Sequence, residues 1–275
     1  MTASFPIERE GNQAASEVRQ VRVTRYVTPL REGGSLPAIV EADDLGTYVL
    51  KFRGAGQGTK VLIAELLAGE IGRALGLPIP EIVFAELDPI LGRSEPDPEV
   101  QELIERSGGL NLAMDYLPGS FGFDALAARE IDPELAASIV WFDAYLTNVD
   151  RTVRNTNMLL WHRKIWLIDN GAALFAQYSG PDFPKRAQSR FPQIREHVLL
   201  PHVGDLRAAD KRLSARLSAE RLSGIVDLIP ESWLGDEAYP SVAEERKAYE
   251  SYLIKRLTGP RAFVEEAIDA RSRIV

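Results

Sequence analysis

The sequence contains no cysteine and only three histidines among its 275 residues. The absence of cysteine excludes disulfide bonds, a thiol nucleophile and thiolate metal ligands, and it is typical of a cytoplasmic protein. His162, His197 and His202 are too few and too scattered to indicate a zinc site. We expect His197 and His202 to lie on the surface of the protein.

Long apolar runs are also missing. No segment approaches the roughly 20 apolar residues that span a bilayer, and residues 1–16 lack the basic and apolar regions of a signal peptide. We therefore expect a soluble, cytoplasmic protein without a membrane partner. The formal net charge of −8 argues against broad nucleic-acid binding, which depends on neutralising phosphates. The hydrophobic content of 45% is sufficient for a packed core.

The stretch from Asn148 to Gly171 has a spacing of polar residues that indicates phosphoryl transfer. Asp150 is followed five positions later by Asn155, and Asp169 follows two apolar segments that predict a β-hairpin. Carboxylate and amide oxygens are the ligands that the Mg²⁺ of a nucleoside triphosphate takes. In protein kinases a loop carries the catalytic Asp, a metal-binding Asn lies five residues later, and a metal-binding Asp follows a hairpin. We predict Asp150 as the base, and Asn155 and Asp169 as metal ligands.

Taken alone, the loop at residues 148–150 or the turn at residues 169–171 would be typical of an ordinary turn or helix cap. The local sequence also departs from the common signature, with Asn148-Val149-Asp150-Arg151 in place of His-Arg-Asp and Asp169-Asn170-Gly171 in place of Asp-Phe-Gly. These departures resemble the HipA-like serine/threonine kinases and, more distantly, the phosphatidylinositol kinase superfamily. A His usually follows the Arg in the HipA pattern, and Thr152 stands there in this sequence. The resemblance implies an α+β, two-lobed protein kinase-like fold with a β-rich N-terminal lobe and a mainly helical C-terminal lobe.

Residues 18–117 are expected to form the lobe that covers ATP, after a polar lead-in at residues 1–17. Three alternating or β-branched segments predict antiparallel strands at residues 21–27, 38–40 and 47–52. Gly33, Gly34 and Ser35 fall in the first turn, where small residues let backbone N–H groups approach phosphates.

Lys51 lies inside an otherwise apolar strand, so its ammonium must reach solvent or a partner. In a kinase this lysine binds the α- and β-phosphates and is held by a glutamate of the next helix. The helical pattern over residues 61–71 predicts Glu65 for that role, with Glu70 as the second choice. The turn at residues 76–80 also resembles the HipA-like pattern. An exposed lysine and a surface glutamate are the alternative.

The apolar strand at residues 110–117 ends in a Pro-Gly turn and predicts a kinase hinge. Backbone groups of Asp115, Tyr116 and Leu117 would then face the adenine edge, although an ordinary core strand would have the same sequence pattern. We place the boundary between the lobes here, so that residues 118–275 form the C-terminal catalytic and helical lobe.

A helix predicted from residue 132 leads directly into Asp150. Arg151 and Arg154 add positive charge beside this aspartate, where they would neutralise phosphate, pair with Asp150 or remain solvated. Helices are also expected over residues 206–228 and 243–268.

The predicted function is transfer of the γ-phosphoryl group of MgATP to a hydroxyl, with ATP and Mg²⁺ bound in the cleft. The resemblance implies a protein serine or threonine acceptor and allows for a regulatory protein partner. The chain is too short for the extra N-terminal subdomain of longer HipA proteins, so an antitoxin partner is not assumed. Three alternatives stay open: a small-molecule or lipid kinase, a non-catalytic nucleotide-binding regulatory module, and a dinucleotide-binding enzyme suggested by the glycines of residues 54–58.

Overall fold

The computed structural model describes residues 17–30, 36–56 and 58–274. Its first part is a closed barrel of five strands in the order β1-β2-β3-β5-β4. The strands are β1 (Gln20–Pro29), β2 (Ala38–Ala42), β3 (Thr47–Lys51), β4 (Ile82–Leu87) and β5 (Gly109–Asp115). Neighbouring strands pair antiparallel, except that β1 pairs parallel with β4 and so closes the barrel.

The interior of the barrel has its own small hydrophobic core. Alternate residues of each strand point inward, and most are Val or Ala, which fit the narrow space inside five strands. Helix α2 (Pro98–Arg106) contributes Val100, Leu103 and Ile104 to the same core. The chain after the glycine-rich loop of residues 53–58 does not form the repeated parallel βαβ units that a dinucleotide-binding enzyme requires, as far as the described residues extend.

Helix α1 (Thr59–Ala74) lies between the barrel and the C-terminal helices, and its residues 62–72 are all buried. Two glycines make this close packing possible. A Cβ atom at Gly69 would collide with Ile82 of β4, and one at Gly72 would collide with Ile79 and lie 3.3 Å from the ring of Phe142. Helix α1 therefore belongs to the larger hydrophobic core, together with the helices that follow.

Helix α3 (Pro133–Leu146) is the buried centre of the second part of the chain. It begins at Asp132, whose carboxylate accepts hydrogen bonds from the N–H groups of Glu134 and Leu135, and it ends at Thr147 in a left-handed conformation with φ of 52°. The second part of the chain also contains a small sheet with the strand order β6-β7-β8, formed by β6 (Phe121–Gly122), β7 (Met158–Trp161) and β8 (Lys164–Leu167).

The hairpin between β7 and β8 turns at His162 and Arg163, which both have positive φ, as a two-residue turn with the twist of the strands requires. The remaining chain forms α4 (Leu206–Ser214), α5 (Ala219–Asp227), α6 (Val242–Thr258) and α7 (Ala262–Ser272). Four short 3-10 helices occupy the segment from Phe175 to His202. No helix in the described ranges is both long enough and apolar enough to cross a membrane.

Strands β1 to β3 and helices α1 and α3 lie where the sequence pattern predicts them. The segments 206–228 and 243–268, both expected to be helical, each form two helices, and Ser218 caps the second helix of the first segment. Strand β6 and the closure of the barrel were not anticipated. The division into lobes at residues 18–117 and 118–275 stays a prediction.

Candidate active site

Lys51, at the end of β3, contacts carboxylates from two other elements. Its Nζ lies 2.5 Å from Glu65 Oε2 in α1 and 2.5 Å from Asp169 Oδ1 after β8. Burial alone would lower the pKa of Lys51, but the two carboxylates raise it overall, so the side chain is a permanent cation. The positive charge of Lys51 in turn lowers the pKa of Asp169. The structure thus brings these three predicted site residues together, and Glu65 rather than Glu70 contacts Lys51.

Glu65 also fixes the turn that carries Asp169. Its second oxygen, Oε1, accepts a hydrogen bond of 3.0 Å from the backbone N–H of Asn170. Asp169 has a φ of 52°, a left-handed conformation that Asp tolerates better than most residues. A Cβ atom on the next residue, Gly171, would lie only 2.6 Å from Val61 Cγ1 of α1. Only glycine therefore lets this turn pack directly against α1.

The loop after α3 holds Asp150 through side-chain amides. Asn148 Oδ1 accepts a hydrogen bond from the Asp150 N–H at 3.1 Å, and Asn155 Nδ2 donates to Asp150 Oδ2 at 2.8 Å. Asn157 Nδ2 donates to the Asp150 carbonyl at 3.0 Å and to Oδ2 at 3.3 Å. Both Asn155 and Asn157 therefore orient the same carboxylate oxygen. Asn157 was not predicted, although its position two residues after Asn155 is visible in the sequence.

Arg151 does not face phosphate or Asp150, the roles the sequence suggested for it; both its side chain and that of Asp143 are 0% exposed. The Arg151 Nε donates to Asp143 Oδ2 at 2.6 Å, and its two terminal nitrogens donate to the Asn157 carbonyl at 2.5 Å and to Asn170 Oδ1 at 2.7 Å. Burial would raise the pKa of Asp143, but the charge of Arg151 and the contact with His197 bring it below its ordinary value. Arg151 thus joins α3, the Asp150 loop and the Asp169 turn.

The expectation that His197 lies on the surface is wrong. His197 Nε2 lies 2.9 Å from Asp143 Oδ2, and Nδ1 accepts a hydrogen bond of 3.0 Å from the Leu199 N–H. The accepting role of Nδ1 leaves the proton on Nε2, which donates to Asp143. Burial lowers the pKa of His197, so the ring is neutral. The backbone of Thr152, which replaces the usual histidine, pairs with His197 in an isolated β-bridge.

A cavity of about 550 Å³ lies between the barrel and the Asp150 loop. Lys51, Glu65, Asn155 and Asp169 line its polar end. Its apolar walls are formed by Val49, Ile82, Met114, Met158 and Ile168. A polar end with several charged groups and an otherwise apolar lining is the usual character of a small-molecule site.

The predicted hinge residues Asp115, Tyr116 and Leu117 line one side of the cavity. The Asp115 N–H donates to the Glu81 carbonyl at 2.9 Å, and the Tyr116 N–H donates to the Thr47 carbonyl at 3.0 Å. The Leu117 N–H donates no hydrogen bond within the described part of the chain. Of the three N–H groups, that of Leu117 is therefore the one able to bind a ligand.

Gly33, Gly34 and Ser35 lie outside the described residues. Leu30, before these residues in the chain, and Pro37, after them, both line the cavity. The Leu30 N–H donates to the Pro37 carbonyl at 2.7 Å.

The oxygen donors at the polar end suit a hard cation such as Mg²⁺. Asp169 is 46% exposed, and Asn155 uses its Nδ2 for Asp150, which leaves Oδ1 for a cation. No cluster of three or more His, Asp or Glu side chains that could hold a metal occurs in the described ranges. A cation here would therefore depend on Asp169, Asn155 and the phosphates of a bound nucleotide together.

Comparison with known proteins agrees with this architecture. The crystal structure of the Helicobacter pylori proinflammatory kinase CtkA matches with 13% identity and a TM-score of 0.57, over 94% of this chain and 99% of that chain. Two crystal structures of the Golgi casein kinase, one with Mn/ADP bound, match with 12% identity and TM-scores of 0.45, over 93% of this chain and 74% and 73% of those chains. The chain matches none of the curated proteins with which it was compared.

The likeness to CtkA confirms the protein kinase-like fold predicted from the sequence. A family model described as HipA-like kinase matches residues 23–257, which is most of the chain. Most of the barrel and all of α1, the Asp150 loop and the Asp169 turn fall within that range, and the chain belongs to the HipA-like kinase family.

Proposed function

We propose that the protein transfers the γ-phosphoryl group of MgATP to a serine or threonine hydroxyl of another protein. The observation that carries the proposal is the meeting of Lys51, Glu65 and Asp169 at the end of a cavity of about 550 Å³. The acceptor class rests on the resemblance of the Asp150 loop to that of HipA-like serine/threonine kinases.

ATP would enter with its adenine between the apolar walls of the cavity and its phosphates toward Lys51. The Leu117 N–H would donate to a ring nitrogen of the base. Lys51 would bind the α- and β-phosphates while Glu65 keeps its ammonium in place. Because Lys51 also contacts Asp169 at 2.5 Å, phosphate binding would weaken that contact and release the carboxylate. The released Asp169, with Asn155, would hold Mg²⁺, which neutralises charge on the transferring phosphoryl group.

Asp150 would accept the proton of the acceptor hydroxyl as the new P–O bond forms and ADP leaves. Asn155 and Asn157 both donate to its Oδ2, and its Oδ1 accepts no hydrogen bond from the described residues. The free oxygen can therefore face the hydroxyl while the amides hold the other one. Most of the rate enhancement would come from this positioning and from charge neutralisation.

The test is transfer of labelled γ-phosphate from ATP to a degenerate peptide library containing serine and threonine, compared with the same library containing alanine. We expect transfer by the wild-type protein, and a loss of about 10²- to 10⁴-fold in kcat for Asp150→Ala. Asp169→Ala should abolish the stabilisation by ATP and Mg²⁺ in a thermal unfolding assay. Glu265→Gln, in an exposed ion pair with Arg207, serves as the control and should behave as wild type.

Each alternative function predicts a different result. Binding of ATP with no transfer to any acceptor, unchanged by Asp150→Ala, would indicate a non-catalytic nucleotide-binding module. Label that appears on lipids or small molecules but not on the peptides would refute the protein acceptor. The proposal as a whole fails if ATP neither stabilises the wild-type protein nor donates phosphate.

A further inference from the structure

A short segment of the C-terminal part reaches back to the barrel and to α1. We call it the strap (residues 230–236); it joins α5 to α6 and contains one turn of 3-10 helix, Glu231–Trp233. Its far end is fixed to α6, because Glu245 Oε2 accepts hydrogen bonds from the N–H groups of Gly235 at 2.7 Å and Asp236 at 3.1 Å. Glu245 is itself buried, so this anchor is rigid.

The strap contacts the barrel through Trp233, which is 2% exposed. The indole Nε1 donates to the Leu110 carbonyl in β5 at 3.0 Å, and the ring meets Phe84 of β4 edge-on with centroids 5.6 Å apart. Arg53, just after β3, donates to the Ser232 carbonyl at 3.3 Å. The strap is thereby tied to β4, to β5 and to the residues that follow Lys51.

The same segment holds the first turn of α1. Thr59 Oγ1 donates to the Trp233 carbonyl at 2.8 Å, and Lys60 Nζ lies 2.6 Å from Asp236 Oδ2. Both members of this ion pair are about three-quarters buried, and Lys60 lowers the pKa of Asp236. Gly58 provides no side-chain cap for the helix. The strap therefore holds the first turn of α1 through its side chains, without capping the backbone N–H groups of the helix.

The other end of α1 is also fixed. Arg216, between α4 and α5, donates to the Leu75 carbonyl, and Gly72 packs against Phe142. Glu65 lies five residues after Lys60, about 7.5 Å further along the helix axis. A swing of the first turn away from the strap would move Glu65 away from Lys51, with which it must pair for phosphoryl transfer in kinases.

We propose that the strap positions α1 so that Glu65 meets Lys51, and that Lys60, Trp233 and Asp236 are positioning residues for phosphoryl transfer. This inference rests on the proposed function. None of the three touches the cavity, so each acts through the Lys51–Glu65 contact. The strap performs this task with hydrogen bonds, one ion pair and a buried indole, all of which are present without any modification of the chain.

The first experiment measures kcat and the KM for ATP in Lys60→Ala, Asp236→Ala and the exchanged pair Lys60→Asp/Asp236→Lys. We expect each single variant to lower kcat/KM about five-fold, the effect of losing a partly buried ion pair worth about 1 kcal/mol. The exchanged pair should recover part of that loss. Glu265→Ala removes an exposed Arg–Glu ion pair between α4 and α7, and should leave both constants unchanged.

A second experiment, in a Glu65→Gln protein, distinguishes an effect on the position of Glu65 from an effect on general stability. In a Glu65→Gln protein the contact with Lys51 is already weakened, so Lys60→Ala should cause little further loss of activity. An equal loss in both backgrounds would overturn the inference, because the strap would then act elsewhere. Trp233→Phe keeps the ring against Phe84 but removes the bond to the Leu110 carbonyl, and is expected to lower kcat/KM in the same way.

Failure of the inference can be told from failure of the proposed function. If the wild-type protein is active and the strap variants keep its kcat and KM, only the proposed positioning role of the strap is refuted. If the wild-type protein transfers no phosphate, the proposed function falls, and amide hydrogen exchange then decides whether the strap holds α1. Exchange in residues 59–65 must increase in Lys60→Ala and Asp236→Ala but not in Glu265→Ala. Equal protection in all three variants refutes the proposal that the strap positions α1.

Discussion

Replacing Arg151 with methionine removes a cation from a site in which neither it nor its partner Asp143 has contact with solvent. The variant loses the 2.6 Å contact to Asp143 and the hydrogen bonds to the Asn157 carbonyl and to Asn170. Asp143 keeps only neutral partners, His197 and Asn148. A buried carboxylate without a cation is costly, because nearby dipoles replace only part of its lost hydration.

Removal of one member of a buried ion pair costs about 3–5 kcal/mol. A domain of ordinary stability has a free energy of unfolding of about 5–15 kcal/mol, so the Arg151→Met variant should remain folded but be only marginally stable. Arg151→Lys keeps the charge, but one ammonium cannot reach the carboxylate, the carbonyl and the amide at once, and we expect a smaller loss of about 1–2 kcal/mol. The expected order of stability is wild type, Arg151→Lys, Arg151→Met.

Urea unfolding followed by tryptophan fluorescence measures these differences. The double variant Asp143→Leu/Arg151→Met should be more stable than Arg151→Met alone, since it leaves no charge buried. A loss below about 1 kcal/mol for Arg151→Met, the value of a solvated loop arginine, would refute the reasoning. So would a double variant as unstable as the sum of its two single variants.

Three further predictions concern the same part of the molecule. Gly171→Ala places a methyl group 2.6 Å from Val61 Cγ1, and should raise the KM for ATP in a steady-state assay and cost about 1–3 kcal/mol in urea unfolding. His197 has a lowered pKa, so its contribution to stability is complete above its ordinary value of 6.5 and falls as the pH decreases below it; His197→Gln should lack that part of the pH dependence when unfolding is measured from pH 8 to 5. Asn157→Ala removes one of the two amides that donate to Asp150 Oδ2, and should lower kcat by up to about 10²-fold while leaving the KM for ATP unchanged.

Gly56→Ala is the control for Gly171→Ala. It adds a methyl group that would meet no atom within 4 Å, and should leave the KM for ATP unchanged. Each prediction fails on a simple result: no change in KM for Gly171→Ala, an unaltered pH dependence for His197→Gln, or a wild-type kcat for Asn157→Ala.

The strands and helices that the sequence predicted are those with a clear local pattern. Lys51 was recognisable because a charge inside an apolar strand needs a partner, and Glu65 because it lies on the buried face of the next helix. Asp150 and Asp169 were recognisable from their spacing around a hairpin. In each case the signal lies within a few residues of the side chain concerned.

The features that were missed depend on contacts between distant parts of the chain. His197 sits in a polar segment, and nothing nearby indicates that it reaches Asp143, 54 residues earlier. Arg151 follows Asp150 directly, yet the Arg151 side chain is fully buried while Asp150 remains partly exposed. The parallel pairing of β1 with β4 also joins segments about 60 residues apart. Local periodicity carries no information about such pairings.

The closed barrel has a consequence for how another polypeptide can bind. Strands β2 to β5 are bonded on both sides, but β1 pairs with β4 only over residues 20–22, so its residues 23–29 are bonded to β2 alone. An extended peptide therefore cannot join the barrel by adding a strand except beside that part of β1. Among the described strands, β6 and β8 also have an edge that remains unpaired within their sheet. An acceptor or partner that binds through its backbone as an added strand is confined to these edges, and elsewhere it must be recognised by its side chains.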